Sequence, residues 1–360
     1  MLTEALVREA LAEVAYPGLR SDIVALGLVR SVAVRNDRVH VSLTLATERA
    51  DVPDLLRAAI TERLARAGAV RTEVQLLTPE RRPVRQDPWA DQAPLPGVRH
   101  VVAVGAGKGG VGKSTVAVNL ALGLRAAGLA VGLLDADIYG PSVPVLLGLE
   151  DGASRVRMTE AKQILPLEAQ GLAVVSFGFF LGAQSPAVWR GPMVAKAVTQ
   201  FSRGVVWPAL DVLVVDLPPG TGDVPLSLAQ AVPVDGAVVV TTPQRLAALE
   251  AAKAIAMFRT LHVPVLGVVE NMSHARCECG RASYPFGRGG GAALAEREGV
   301  PLLGQVPFDE AVVADGDGGV SPLVRAPESG VAVAMRGVAA AVRAALAARP
   351  TAPAAVGGAA

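Results

Sequence analysis

Residues 100–115 read HVVAVGAGKGGVGKST, and the fold turns on how this stretch is interpreted. It opens on an apolar run, His100–Val104, that predicts a strand, and it runs into a segment, residues 112–127, that predicts a helix. Between them lies G-x-x-x-x-G-K-S/T, as Gly107, Gly112, Lys113 and Ser114. Strand, glycine-rich loop and helix in that order are the context a phosphate-binding loop requires. The residue types follow from the chemistry. Gly107, Gly109, Gly110 and Gly112 let the backbone curl around Val111, so that successive N–H groups point at phosphate oxygens. The helix that starts near Lys113 adds its positive dipole end. Lys113 neutralises charge on the β- and γ-phosphates, Ser114 offers a hydroxyl to Mg²⁺, and Thr115 reaches the α-phosphate.

Further short, continuous Val/Leu runs follow: Val131–Leu134, Leu172–Ser176, Val212–Val215, Ala237–Thr241, Val263–Val269 and Leu302–Val306. Continuous runs suit strands buried on both faces. Helical segments at 194–203, 246–261, 290–298 and 331–348 separate or follow them. The expected fold class is α/β, a doubly wound, mostly parallel sheet of the P-loop NTPase type, preceded by a small α+β domain. Two acidic motifs lie where such a sheet binds ligands, at the carboxyl ends of strands. LLDADIYGPS, residues 133–142, supplies Asp135 and Asp137, and VLVVDLPPGTGD, residues 212–223, supplies Asp216. One such carboxylate suits the water shell of Mg²⁺ and another the orientation of an attacking water. Gly220 sits where a switch loop senses the γ-phosphate, and Asp223 reads equally as a helix N-cap.

The 360 residues carry 34 Lys+Arg against 33 Asp+Glu, a net charge of +1, which gives no global field toward nucleic acid or an anionic membrane. An apolar fraction of 51% with 19% charged residues provides a core and excludes wholesale disorder. Residues 1–78 read as an α-β-β-α-β unit, with helices at 3–14 and 52–67 and strands at 23–34, 39–45 and 70–76. Residues 79–97 hold five prolines and read as a linker; 98–348 form the ATPase domain and 349–360 a disordered tail. The N-terminus lacks the basic and apolar regions of a signal peptide, and the uncharged stretch 169–189 is too polar for a membrane span, so a cytoplasmic protein is expected. The chain's two cysteines, Cys277 and Cys279, stand two positions apart, which excludes a disulfide scaffold.

GKGGVGKST resembles the deviant Walker A loop of the family that includes MinD, ParA and the nitrogenase iron protein. The resemblance implies an ATP-bound homodimer in which Lys108 reaches the partner's nucleotide. It also assigns Asp137 to the water, Asp135 and Asp216 to the Mg²⁺ network, and Asn271 of VENM to adenine. DADIYGPS, VWRGPMVAKAVTQF (188–201), DLPPGTGD, TTPQ (241–244), VENMS and FGRGGG (286–291) together resemble the Mrp/ApbC group of iron–sulfur carrier ATPases. QVPFDE, residues 305–310, resembles another loop near the site. The N-terminal unit, with DIVALGLV at 22–29, resembles the small iron–sulfur assembly domain that often precedes this ATPase, although the cysteine such domains often carry is absent from TERADVP, residues 47–53.

In SHARCECG, Cys277 and Cys279 stand where that group carries C-x-x-C, with a spacing one residue shorter. Thiolates hold soft metals and iron–sulfur clusters. Two chains would supply the four thiolates of a 4Fe–4S cluster, with His274 as an auxiliary ligand; a degenerate site, or zinc or redox use, are the alternatives. The resemblance implies a slow Mg²⁺-dependent ATPase that carries a cluster between subunits and passes it to recipient apoproteins, in contact with assembly machinery. No nucleic-acid or membrane partner is expected. A MinD/ParA-like positioning ATPase and an ATP-regulated scaffold without a cluster are the other readings. The terminal helix lacks the large apolar residues of a membrane anchor, which disfavours the MinD-type reading.

Overall fold

The computed structural model describes residues 2–18, 21–45, 49, 51–77, 89–90, 92–151, 155–180, 197–198, 200–201, 203–277 and 279–349. The chain divides into two compact units, 1–87 and 88–360.

The first unit has the order α1 (Glu4–Leu11), β1 (Val29–Arg35), β2 (Arg38–Thr44), α2 (Val52–Arg66) and β3 (Arg71–Leu77). β2 lies centrally, antiparallel to β1 and parallel to β3. Thr3 caps α1 by accepting from the Leu6 N–H, and Leu11, Ile23, Leu43, Leu56, Ile60 and Leu64 are fully buried between helices and sheet. The strand expected at 23–34 begins only at Val29, because the Asp22 carboxylate accepts from the N–H groups of Val24 and Ala25 and turns the chain there.

The second unit is built on eight strands: β4 (Val98–Ala106), β5 (Val131–Asp135), β6 (Leu167–Ala169), β7 (Leu172–Ser176), β8 (Leu210–Asp216), β9 (Gly236–Thr241), β10 (Val265–Glu270) and β11 (Leu302–Gln305). Their order across the sheet is β11-β10-β9-β4-β8-β5-β7-β6. All neighbours are parallel except the β6–β7 edge pair, so the expected doubly wound, mostly parallel sheet is present. The main helices are α3 (Lys113–Ala126), α4 (Asp223–Ala231), α5 (Arg245–Thr260), α6 (Gly290–Glu298) and α7 (Gly330–Ala347). Val102, Val104, Leu133, Val214 and Val238 on one face and Ala103, Leu134, Leu213, Val215 and Val239 on the other are buried in two separate apolar layers, which is why these strands read as continuous rather than alternating runs. α7 is long and apolar enough to cross a membrane by composition alone; its buried residues Met335, Val338 and Val342 lie in the core, and the helix packs on α3 and β11.

Most of the proline-rich stretch lies outside the described residues, but its end is held by the second unit: Leu95 is buried and the Gln92 amide donates to the carbonyls of Ala229 and Val232. The helix expected at 194–203 falls largely outside the described residues, and the expected tail almost wholly so. α4 begins at Asp223 with Gly222 as its N-cap, so Asp223 is in the first turn and does not cap the helix.

Candidate nucleotide site and cysteine hairpin

The loop between β4 and α3 is shaped by two close approaches. A Cβ at Gly107 would stand 2.0 Å from the Glu250 carbonyl oxygen, because the loop runs against the backbone of α5. Gly112 has φ +78°, and a Cβ there would stand 2.3 Å from Asn271 Nδ2. Gly109, by contrast, faces open space. Gly107→Ala is therefore expected to cost about 1–3 kcal/mol, the range for overpacking, and to weaken nucleotide binding at least about tenfold. Gly109→Ala should melt within about 0.5 kcal/mol of the parent. Thermal melts and titration with ATP on both variants check this contrast.

α3 carries Lys113 into the interior. Its ammonium donates to Asp216 Oδ1 at 2.6 Å and to Ser114 Oγ at 3.1 Å, and lies 3.7 Å from Asp137 Oδ2. The three carboxylates arrive from two strand ends. β8 ends at Asp216, fully buried, and β5 ends at Asp135, also fully buried, with Asp137 just beyond. Asp135 is held by protein donors: Oδ1 accepts from the Asp137 N–H, and Oδ2 from Ser176 Oγ at 2.8 Å and the Val143 N–H. Burial first, and the Asp216 charge second, push the Asp135 carboxyl up to about 7. Burial also raises Asp216, against the opposing pull of Lys113. Asp137 Oδ1 accepts from the Gly140 N–H, which shapes the loop after β5.

Asp216 Oδ2 is buried and has no hydrogen-bond partner among the described residues. An orphaned carboxylate oxygen beside Ser114 and the phosphate loop fits Mg²⁺ held through its water shell, since that ion keeps several waters and takes few protein ligands. No group of three or more His, Cys, Asp or Glu among the described residues is gathered to hold a metal directly. Lys108 is half-buried in the loop and makes no ion pair among the described residues. The Gly220 N–H donates to the Ala106 carbonyl at 2.8 Å, so in this state it is committed to β4 rather than open to a phosphate.

Beside the loop lies a cavity of about 240 Å³, whose lining includes Gly112, Thr115, Asn271, Met272, Pro307 and Phe308. Five separate segments build it, which is why the sequence pointed to Asn271 and to the 305–310 loop without joining them. Asn271 Nδ2 donates to the Val111 carbonyl at 2.9 Å. One N–H of the amide is thus spent on the phosphate loop, which leaves the second N–H and the amide oxygen to meet a base. Sequence reasoning missed Glu270, one residue earlier. It is fully buried and accepts from the Gly291 N–H at the start of α6 and from Gln305 Nε2 at 2.7 Å. A Cβ at Gly291 would stand 2.7 Å from that of Glu270, which accounts for glycine in FGRGGG.

The cysteines follow six residues after Asn271. Short strands Ala275–Arg276 and Ala282–Ser283 pair antiparallel, and the Cys277 N–H donates to the Arg281 carbonyl. Cys277 and Cys279 lie on this exposed hairpin, joined to each other as a disulfide with Cα atoms 5.3 Å apart. The bond closes only a local loop and staples nothing. His274 Nδ1 is 2.9 Å from Ser273 Oγ, and among the described residues the histidine is not gathered with the two sulfurs into a three-ligand group.

Similarities to known proteins cover nearly the whole chain. Residues 97–343 match the family described as NUBPL iron-transfer P-loop NTPase, and residues 4–76 match the family described as iron-sulfur cluster assembly protein. A protein of Deinococcus radiodurans named iron-sulfur cluster carrier protein is 46% identical over 339 residues, 94% of either chain. One of the same name from Escherichia coli is 42% identical over 90% of this chain and 87% of its own. A solved nucleotide-binding protein from Archaeoglobus fulgidus, in complex with ADP, is 39% identical over 62% of this chain and 87% of its own, with a TM-score of 0.55. The cell division ATPase MinD of Pyrococcus furiosus, 22% identical over 68% of this chain and 99% of its own, shares the fold at a TM-score of 0.50.

Proposed function

The chain belongs to the NUBPL iron-transfer P-loop NTPase family, and we propose that it is an ATP-hydrolysing iron–sulfur cluster carrier that works as a homodimer. One observation carries this reading. A single chain places a phosphate loop, with Lys113 buried against Asp216, and a two-cysteine hairpin on either side of Asn271. The phosphate loop binds the ATP triphosphate through its N–H groups and Lys113. The cavity beside it takes the base. Ser114 and Asp216, the latter through water, would hold Mg²⁺, which when bound would supply positive charge beside the leaving phosphates. Asp135 fixes the loop that carries Asp137, and Asp137 orients the attacking water. Lys108, which has no ion pair among the described residues of its own chain, serves the partner's nucleotide.

The cargo is a 4Fe–4S cluster held by Cys277 and Cys279 of both subunits once the disulfide has been reduced to two thiols and these have lost their protons. Recipients are apoproteins that themselves present cysteines. The unit that matches the cluster assembly family, residues 4–76, has no cysteine and serves to dock recipients or assembly proteins in the cytoplasm.

The test is anaerobic reconstitution of the reduced full chain with iron and sulfide, followed by mixing with an apo 4Fe–4S enzyme. The expected result is the broad visible absorbance of a cluster, and activation of the acceptor that depends on MgATP. A chain that takes up no cluster, or whose acceptor activates equally without it, would refute the carrier reading. For the trans lysine, Lys108→Ala should keep ATP affinity within about threefold and lose about 100-fold in hydrolysis, the scale of a missing transition-state cation. Normal turnover in that variant would rule the role out.

A further inference from the structure

The base cavity and the cysteine hairpin share one piece of backbone. Asn271 and Met272 line the cavity, and Met272 has φ +56°, a left-handed conformation that a methionine holds only under constraint. From there the chain pairs with the 306–308 segment that forms the opposite wall. The Ser273 N–H donates to the Val306 carbonyl at 2.9 Å, the Phe308 N–H donates to the His274 carbonyl at 2.7 Å, and Ala275 bridges Phe308. The next residue, Arg276, is already in the cysteine hairpin, paired with Ala282. On the far side of the hairpin, Phe286 meets the Phe308 ring edge-on with centroids 6.0 Å apart. Both walls are tied at their base to Glu270, whose carbonyl accepts from the Val306 N–H and whose carboxylate accepts from Gln305 and from the start of α6.

We infer that this paired segment is a relay, in which Phe308 and Phe286 are positioning residues that pass occupancy of the base cavity to Cys277 and Cys279. A base entering the cavity meets Met272 on one wall and Pro307–Phe308 on the other. The walls are anchored at Glu270, so displacement falls on the free end, and the backbone bonds between the two segments carry it as a unit. The Phe308 ring then moves against Phe286 and shifts the two arms of the hairpin together. Nucleotide state thereby sets how the sulfurs are presented, through contacts that touch neither the phosphates nor Asp135, Asp137 and Asp216. The inference rests on the cavity being the base site, as proposed above, and is independent of what the sulfurs carry.

The chain has two cysteines, so thiol alkylation reports on them alone. Full-length protein, reduced with a phosphine under nitrogen, is reacted with a maleimide with and without saturating MgADP, and ADP affinity is measured by calorimetry on the same samples. The wild type should show a change of about fivefold or more in alkylation rate on binding ADP, the low end of ordinary coupling. Phe286 is not part of the cavity lining, so Phe286→Ala should bind ADP as the wild type does and show less than about a twofold change, while Phe286→Leu, which keeps apolar contact with Phe308, should restore most of the response. An unchanged alkylation rate in wild-type protein with ADP bound, or a full response in Phe286→Ala, overturns the relay. Failure to bind ADP overturns it too, and is seen separately in the calorimetry as failure of the nucleotide site itself.

Discussion

Lys113→Ala should lose about 10- to 150-fold in ATP affinity, because a charge-assisted contact to phosphate contributes about 1.5–3 kcal/mol and Lys113 is the loop lysine buried against Asp216. The same variant should also be less stable without nucleotide. In the parent, Lys113 is the donor to Asp216 Oδ1, and Asp216 Oδ2 already has no partner among the described residues. Removing the ammonium leaves a fully buried carboxylate without its counter-charge, which costs about 3–5 kcal/mol if the group stays ionised. The carboxyl escapes part of that cost by holding its proton. Its folded-state pKa is raised by burial, so stability from the protonated form is present at low pH and lost as pH rises through that raised value. The deficit of Lys113→Ala against wild type should therefore grow with pH. Calorimetric titration with ATP tests the first expectation, and melts of both proteins across a pH series test the second. Affinity within about threefold of wild type would remove the phosphate-loop assignment.

Local rules explain what could be read in advance. The phosphate loop is a run of glycines and a lysine whose roles are set within nine residues, and the neighbouring strands are runs of valine and leucine that only a sheet covered on both faces buries. Features that depend on distant partners were not legible. β6 is three residues long and antiparallel at the sheet edge, too short to show any period. α4 carries Pro225 in its first turn, which masks a nine-residue helix whose buried face is Val224, Leu228 and Ala231. Asp135 was expected in the Mg²⁺ network, and its hydrogen bond from Ser176 depends on β7 lying beside β5. The base cavity needs α3, Leu146, the end of β10, residues 306–317 and α7 at once, and no window of sequence contains that meeting. Glu270 had a signal that went unused: a charged residue closing an apolar strand run and a glycine triplet some twenty residues on are a buried carboxylate and the helix start that satisfies it.

Cys277→Ala/Cys279→Ala should lose cluster uptake altogether, and each single variant should lose nearly as much. A 4Fe–4S cluster takes four thiolates, and a dimer of wild-type chains supplies four, from two cysteines each. Either single substitution leaves two per dimer, and with His274 bonded to Ser273 rather than gathered with the sulfurs, no third ligand stands ready among the described residues of the same chain. The oxidation state imposes a second condition. In the structure both sulfurs are consumed by their mutual bond, so oxidised protein has no thiolate to offer. Two electrons and two protons convert the disulfide to a dithiol, and loss of those protons gives the ligand pair. Reconstitution should therefore give about one cluster per two chains after reduction by an added thiol or phosphine, and almost none without it. Iron and sulfide analysis with visible absorbance reads this directly. Equal uptake by the double variant would move the cargo site elsewhere in the chain. Uptake of zinc with no visible absorbance would instead make the C-x-C pair a different metal site, because four thiolates hold Zn²⁺ equally well and the shortened spacing alone does not choose between the two.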